Sequence, residues 1–252
     1  MSDPFQPDPP PKPAPAQAAA EPGIRPLVFA LDPARRSTHL VILFWCAWLL
    51  CSWLVCLLNA SPRLAARLTM PFAALTGMMV LWPLIRLSTS FEPPSAADAD
   101  PMPSTPPVRP STHVLREWLY LNILLQAVLW PLMINAQWTL HQTLWLAWVF
   151  AAWSLLVGLV TAIGLRRGSA AARTLAMLGC LALLLVEPGI ALLRSGVGAG
   201  QWLVSPIGLI RTLTTPFSPA LRVEDAAGII AVTAAGILGW LLYALLLRGR
   251  SA

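Results

Sequence analysis

Apolar residues run in six continuous stretches along this chain, over residues 40–58, 68–85, 118–136, 144–165, 174–193 and 226–247, each bracketed by arginine, proline or both. The hydrocarbon core of a bilayer is ~30 Å thick and a helix rises ~1.5 Å per residue, so one crossing needs ~20 apolar residues. The stretches are continuous rather than alternating, which selects helices over a barrel. The pattern predicts an all-α fold: a polytopic integral membrane protein, built as a six-transmembrane-helix bundle behind a disordered Pro-rich N-terminal tail.

Punctuation between the stretches divides the chain. Residues 1–33 hold ten prolines and residues 91–110 hold seven, out of 25 in the whole sequence. Proline removes a backbone donor and clashes with the preceding turn, so neither segment is expected to be helical. The reading is a disordered cytoplasmic tail over 1–34 and a membrane domain over 35–250, with a Pro-rich cytoplasmic linker over 91–110 and an outer interfacial segment over 194–223. Asp32-Pro33 and Ser61-Pro62 have the chemistry of helix starts, as does Ser169. Glu224-Asp225 places negative charge where the dipole of the last helix favours it.

Composition agrees with this class. Hydrophobic residues make up 57% of the chain and charged residues 11%, against roughly 25% charged in soluble domains. The net charge of +6 reads first as a topology signal. With the N-terminus inside, twelve of the basic residues fall in inner segments, among them Arg35, Arg36, Arg86, Arg166 and Arg167, and five fall outside: Arg63, Arg67, Arg194, Arg211 and Arg222. The positive-inside rule then puts both termini in the cytoplasm, in a cell inner membrane, and no nucleic-acid partner is expected. Residues 1–38 lack a basic start followed by an apolar core, so the first crossing is expected to be its own insertion signal.

Polar side chains inside the stretches are the candidates for chemistry. Glu187 lies in an apolar run just before Pro188-Gly189. A charge at mid-membrane costs on the order of 2.5–3.5 kcal/mol on insertion scales, so its carboxyl should have a partner. Arg194, seven residues on, is the candidate. Asn122 and Gln126 stand one turn apart in the third crossing, and amides in lipid bond to other helices at roughly 0.6–2 kcal/mol each. Ala231, Ala235 and Gly239 recur every four residues, a small-residue stripe that permits close approach of a helix in the bundle or in a homodimer.

No catalytic residues and no cofactor are expected. The sequence lacks a GxSxG elbow, an HExxH pair and a phosphate-binding loop, and its single lysine, Lys12, excludes the last. His39, His113 and His141 do not cluster at ligand spacing, and Cys46, Cys51 and Cys56 step by five around a helix, so no metal site is expected.

Six crossings with both ends inside, and a long outer piece before the last one, resemble in layout the membrane half of type-2 ABC exporters over residues 35–250. That resemblance implies a permease subunit whose ATPase is a separate chain. The proline-rich, acidic linker 91–110 departs from it, because such permeases engage their ATPase through a helix between early crossings. Crossings with one acid and few amides favour instead a non-catalytic accessory or scaffold subunit of a membrane complex. Its partners are the bilayer and a second protein or a second copy of itself.

Overall fold

The computed structural model describes residues 33–59, 61–89, 110–193, 205–215 and 223–248. Eight α-helices and one π-helical segment account for nearly all of them: α1 (Pro33–Leu57), α2 (Pro62–Thr76), the π segment (Gly77–Leu81), α3 (Trp82–Ser88), α4 (Pro110–Ala136), α5 (Leu140–Arg167), α6 (Ala170–Leu193), α7 (Pro206–Thr214) and α8 (Val223–Arg248). No strand occurs among the described residues. Among the described residues five helical spans are long and apolar enough to cross a membrane: 38–57, 62–88, 112–136, 140–167 and 223–247. The fifth of the six expected crossings corresponds to α6, which is apolar over Ala170–Leu185 and continues helical to Leu193. The expected tail and linker lie outside the described residues.

Helix α5 is the axis of the bundle. It touches α3, α4, α6, α7 and α8, and 56% of its apolar window is buried, against 17% for α8. Its ends are firmly set. Thr139 and Gln142 form a reciprocal capping box at the start, and Gly168 closes the end in the left-handed conformation with φ 67°, where a Cβ would be strained. Ser169 then caps α6 by accepting the N–H of Ala172 at 3.2 Å. These local signals make the tight α5–α6 hairpin.

The second crossing is not one regular helix. Pro83 can donate no hydrogen bond to the turn before it, and its ring crowds the carbonyl four residues back. The chain widens into the π turn over Gly77–Leu81 just ahead of it. A π turn inserts one residue and so rotates everything after it by ~100° relative to a regular helix. Gly77 permits the turn to lie against α1, since a Cβ there would collide with the rings of Trp45 and Trp48. The rotation sets where Trp82 and Arg86 point.

Helix α7 lies in the stretch read as an outer interfacial segment. Ser205 caps it by accepting the N–H of Gly208 at 3.2 Å, and Leu209, Ile210 and Leu213 are buried where it packs on α2 and α5. The apolar side of α7 is seated on the bundle, with Arg211 exposed. Arg67 of α2 fixes it there: its guanidinium donates to the carbonyl oxygens of Thr214 and Thr215 and to that of Ala136 at the end of α4. Terminal carbonyls of two helices thereby gain a cationic donor.

Candidate functional site: a buried ion pair on α4

Trp82 and Arg86, one turn apart on α3, both face Glu117 of α4. Arg86 Nη2 lies 2.7 Å from Glu117 Oε1, with both side chains 0% exposed. Thr38 of α1 donates its hydroxyl to the same oxygen at 3.0 Å, and the indole N–H of Trp82 donates to Oε2 at 3.4 Å. One carboxylate thus joins α1, α3 and α4. Its donors come from 79 and 35 positions away in the chain for Thr38 and Trp82.

The depth of this pair explains its composition. Glu117 is seven residues from the start of α4, about 10 Å along the axis, and His113 is buried one turn before it. Either charge alone would be costly in an apolar interior, whereas the pair is neutral and its carboxylate has three donors. Glu117 and its contact with Arg86 were not among the residues singled out from sequence. The signal was hidden because Glu117 abuts Arg116 and stands just ahead of the apolar stretch, so it reads as part of the polar flank.

Asn122, a sequence candidate, is buried and bonded. Its amide donates to the Trp118 carbonyl at 2.8 Å and to Ser154 Oγ of α5 at 3.3 Å. Ser154 also accepts the Trp118 indole N–H at 2.9 Å and donates to the Phe150 carbonyl at 2.6 Å. Gln126 is half-buried one turn further on. Asn122 is five residues from Glu117, a rotation of ~140° around the helix. Glu117 therefore faces α1 and α3 while Asn122 faces α5, and the two do not share a cavity.

The other candidates are dispersed. The backbone of α6 continues helical through Glu187 and Pro188 to Leu193, while the side chain of Glu187 and the whole of Arg194 lie outside the described residues. The stripe of Ala231, Ala235 and Gly239 is divided: Gly239 meets Leu159 of α5, and Ala231 and Ala235 are exposed. The contact face of α8 is set by Ile229, Gly236, Gly239 and Tyr243, with Gly236 against Leu155. No group of three or more His, Cys, Asp or Glu suited to a metal occurs among the described residues.

Tryptophan supplies the recurrent chemistry that the sequence did not disclose. Among the described residues six indole N–H groups reach a neighbouring helix: Trp45 to the Leu121 carbonyl, Trp48 to that of Ala73, Trp82 to Glu117, Trp118 to Ser154, Trp148 to Thr233 and Trp240 to the Leu155 carbonyl. Tyr243 adds a bond from its hydroxyl to the Ala162 carbonyl at 3.2 Å. Each ring gives apolar area to the bundle and one directed bond to the next helix. The hydrogen-bond partners of these rings are far away in the chain or on another helix.

Comparison of the chain with protein-family models, with curated proteins and with solved structures gives no match. The fold and site define a class: an all-helical, membrane-embedded protein with several helices able to cross the bilayer. Its role is argued from its own residues.

Proposed function

We propose that this chain is a non-catalytic accessory or scaffold subunit of a membrane complex. The observation that carries this reading is the closed coordination of Glu117. Its oxygens already accept from Arg86, Thr38 and Trp82, which suits a permanent fastening better than an acid that must exchange ions or protons during transport. Asn122 is likewise engaged in a helix-to-helix contact on a different face. Polar groups that diverge in this way act as interhelical glue.

The outlying position of α8 supports a partner. With 17% of its apolar window buried, most of its surface is left for lipid, a second protein or a second copy of the chain. In the proposed orientation both termini are cytoplasmic in an inner membrane, and the proline-rich tail and linker serve as recruiting segments for soluble partners.

The test is capture of the full chain from its own membranes in mild detergent, with crosslinking mass spectrometry on the eluate. A partner in fixed stoichiometry, crosslinked to α8 or to the proline-rich segments, is the expected result. A chain that elutes alone and gives solute flux in sealed vesicles overturns the reading in favour of the permease that the layout implies.

A further inference from the structure

A groove of about 630 Å³ opens between α4, α5 and α8, lined among others by Trp118, Trp148, Ala151, Leu155, Trp240 and Tyr243. Several of these residue types carry polar atoms, yet the lining is apolar, because the polar atoms are turned away. The indole N–H groups of Trp118, Trp148 and Trp240 are bonded to Ser154, Thr233 and the Leu155 carbonyl, and the Tyr243 hydroxyl to the Ala162 carbonyl. Ring faces and edges remain for an occupant.

Size and length select the kind of occupant. Along α8 the groove runs from Thr233 to Ala244, a distance of about 16 Å at ~1.5 Å per residue. One leaflet of the hydrocarbon core is about 15 Å deep. A single extended hydrocarbon chain matches that length.

Charge selects the headgroup. At the Tyr243 end, the Arg166 guanidinium carbon lies 5.8 Å from the Tyr243 ring centroid. Arg116 of α4 is directed away from the groove, over Tyr120 at 5.7 Å, a ring outside its lining. Both arginines are exposed. No ion pair to Arg166 occurs among the described residues: Glu117 is paired with Arg86, and Glu224 and Asp225 are in the first turn of α8, at its other end. An apolar slot one leaflet deep with the Arg166 guanidinium at its Tyr243 end matches an anionic phospholipid.

We propose that this groove is a binding site for one anionic phospholipid, one of its acyl chains between Trp118 and Trp240 and its phosphate against Arg166. The site stands whether or not the chain is a scaffold. A lipid held there would extend the contact between α8 and the rest of the bundle, which otherwise depends on α5.

The test is native mass spectrometry of the full chain, released from bilayers of equimolar phosphatidylglycerol and phosphatidylcholine with identical acyl chains. Wild type is expected to retain one phosphatidylglycerol in preference to phosphatidylcholine. Arg166→Gln, at an exposed position, should lower that preference about fivefold, whereas Arg116→Gln, equally exposed but directed away from the groove, should leave it unchanged. Ala151→Phe and Ala244→Phe should lower retention of both lipids by obstructing the groove. Equal retention of the two lipids by wild type, or a preference untouched by Arg166→Gln, overturns the proposal. So does retention that neither phenylalanine variant reduces, including a case in which those variants instead dissociate a dimer, since the groove would then belong to a second copy.

Discussion

The guanidinium of Arg86 and the carboxylate of Glu117 meet at 2.7 Å with neither side chain exposed, and the π turn ahead of Pro83 is what brings them face to face. Removing one partner leaves the other charged in an apolar interior. Glu117→Leu or Arg86→Met alone should therefore destabilise the bundle by about 3–5 kcal/mol, whereas the double substitution should recover much of that loss. Reversible unfolding in mixed micelles measures the cycle; additive losses would mean that the two groups act separately.

Gly77 is the point where α1 comes closest to the π turn. A methyl group there meets Trp45 and Trp48, and the nearby Trp48 indole donates to the Ala73 carbonyl at 2.9 Å. Gly77→Ala is expected to cost about 1–3 kcal/mol through overpacking. If the clash is the cause, Trp45→Leu in the same chain should relieve part of it. Thermal denaturation of the two variants in detergent decides this, and an unrelieved loss would place the effect in the backbone instead.

Arg67 holds α7 by its end. Charged hydrogen bonds contribute about 1.5–3 kcal/mol each, so Arg67→Gln should free α7 and the last carbonyl of α4 while leaving α5 intact. Hydrogen exchange over residues 206–214 is expected to accelerate at least about tenfold, with unchanged protection in 140–167. Uniform acceleration across both regions would show that Arg67 supports the whole bundle.

Indole bonds can be separated from indole volume. Trp118→Phe keeps most of the ring and removes the bond to Ser154, with an expected cost of roughly 0.6–2 kcal/mol. Trp130→Phe is the control, because Trp130 is 40% exposed and no hydrogen bond of its indole is found among the described residues. Equal losses in the two variants, read by unfolding in the same micelles, would reduce the Trp118 bond to simple packing.

Much of the architecture was legible in the chain itself, because it depends on signals contained within single segments. Continuous apolar length marked the helices, Ser61-Pro62 and Ser169 marked starts, and Glu224-Asp225 fell in the first turn of α8 as the dipole argument requires. The tertiary structure decided what those segments do to one another. Glu117 belongs to a helix flank by local pattern and to the interior by packing, since its partners Thr38 and Arg86 reach it only once α1 and α3 are laid against α4. The stripe of Ala231, Ala235 and Gly239 has the right period, but the roll of α8 about its axis is fixed by Tyr243, Trp240 and Gly236 on α5, and so only Gly239 of the three meets that neighbour. Hydropathy and helix period are properties of one segment and survive in sequence; which face turns inward depends on contacts between segments far apart in the chain.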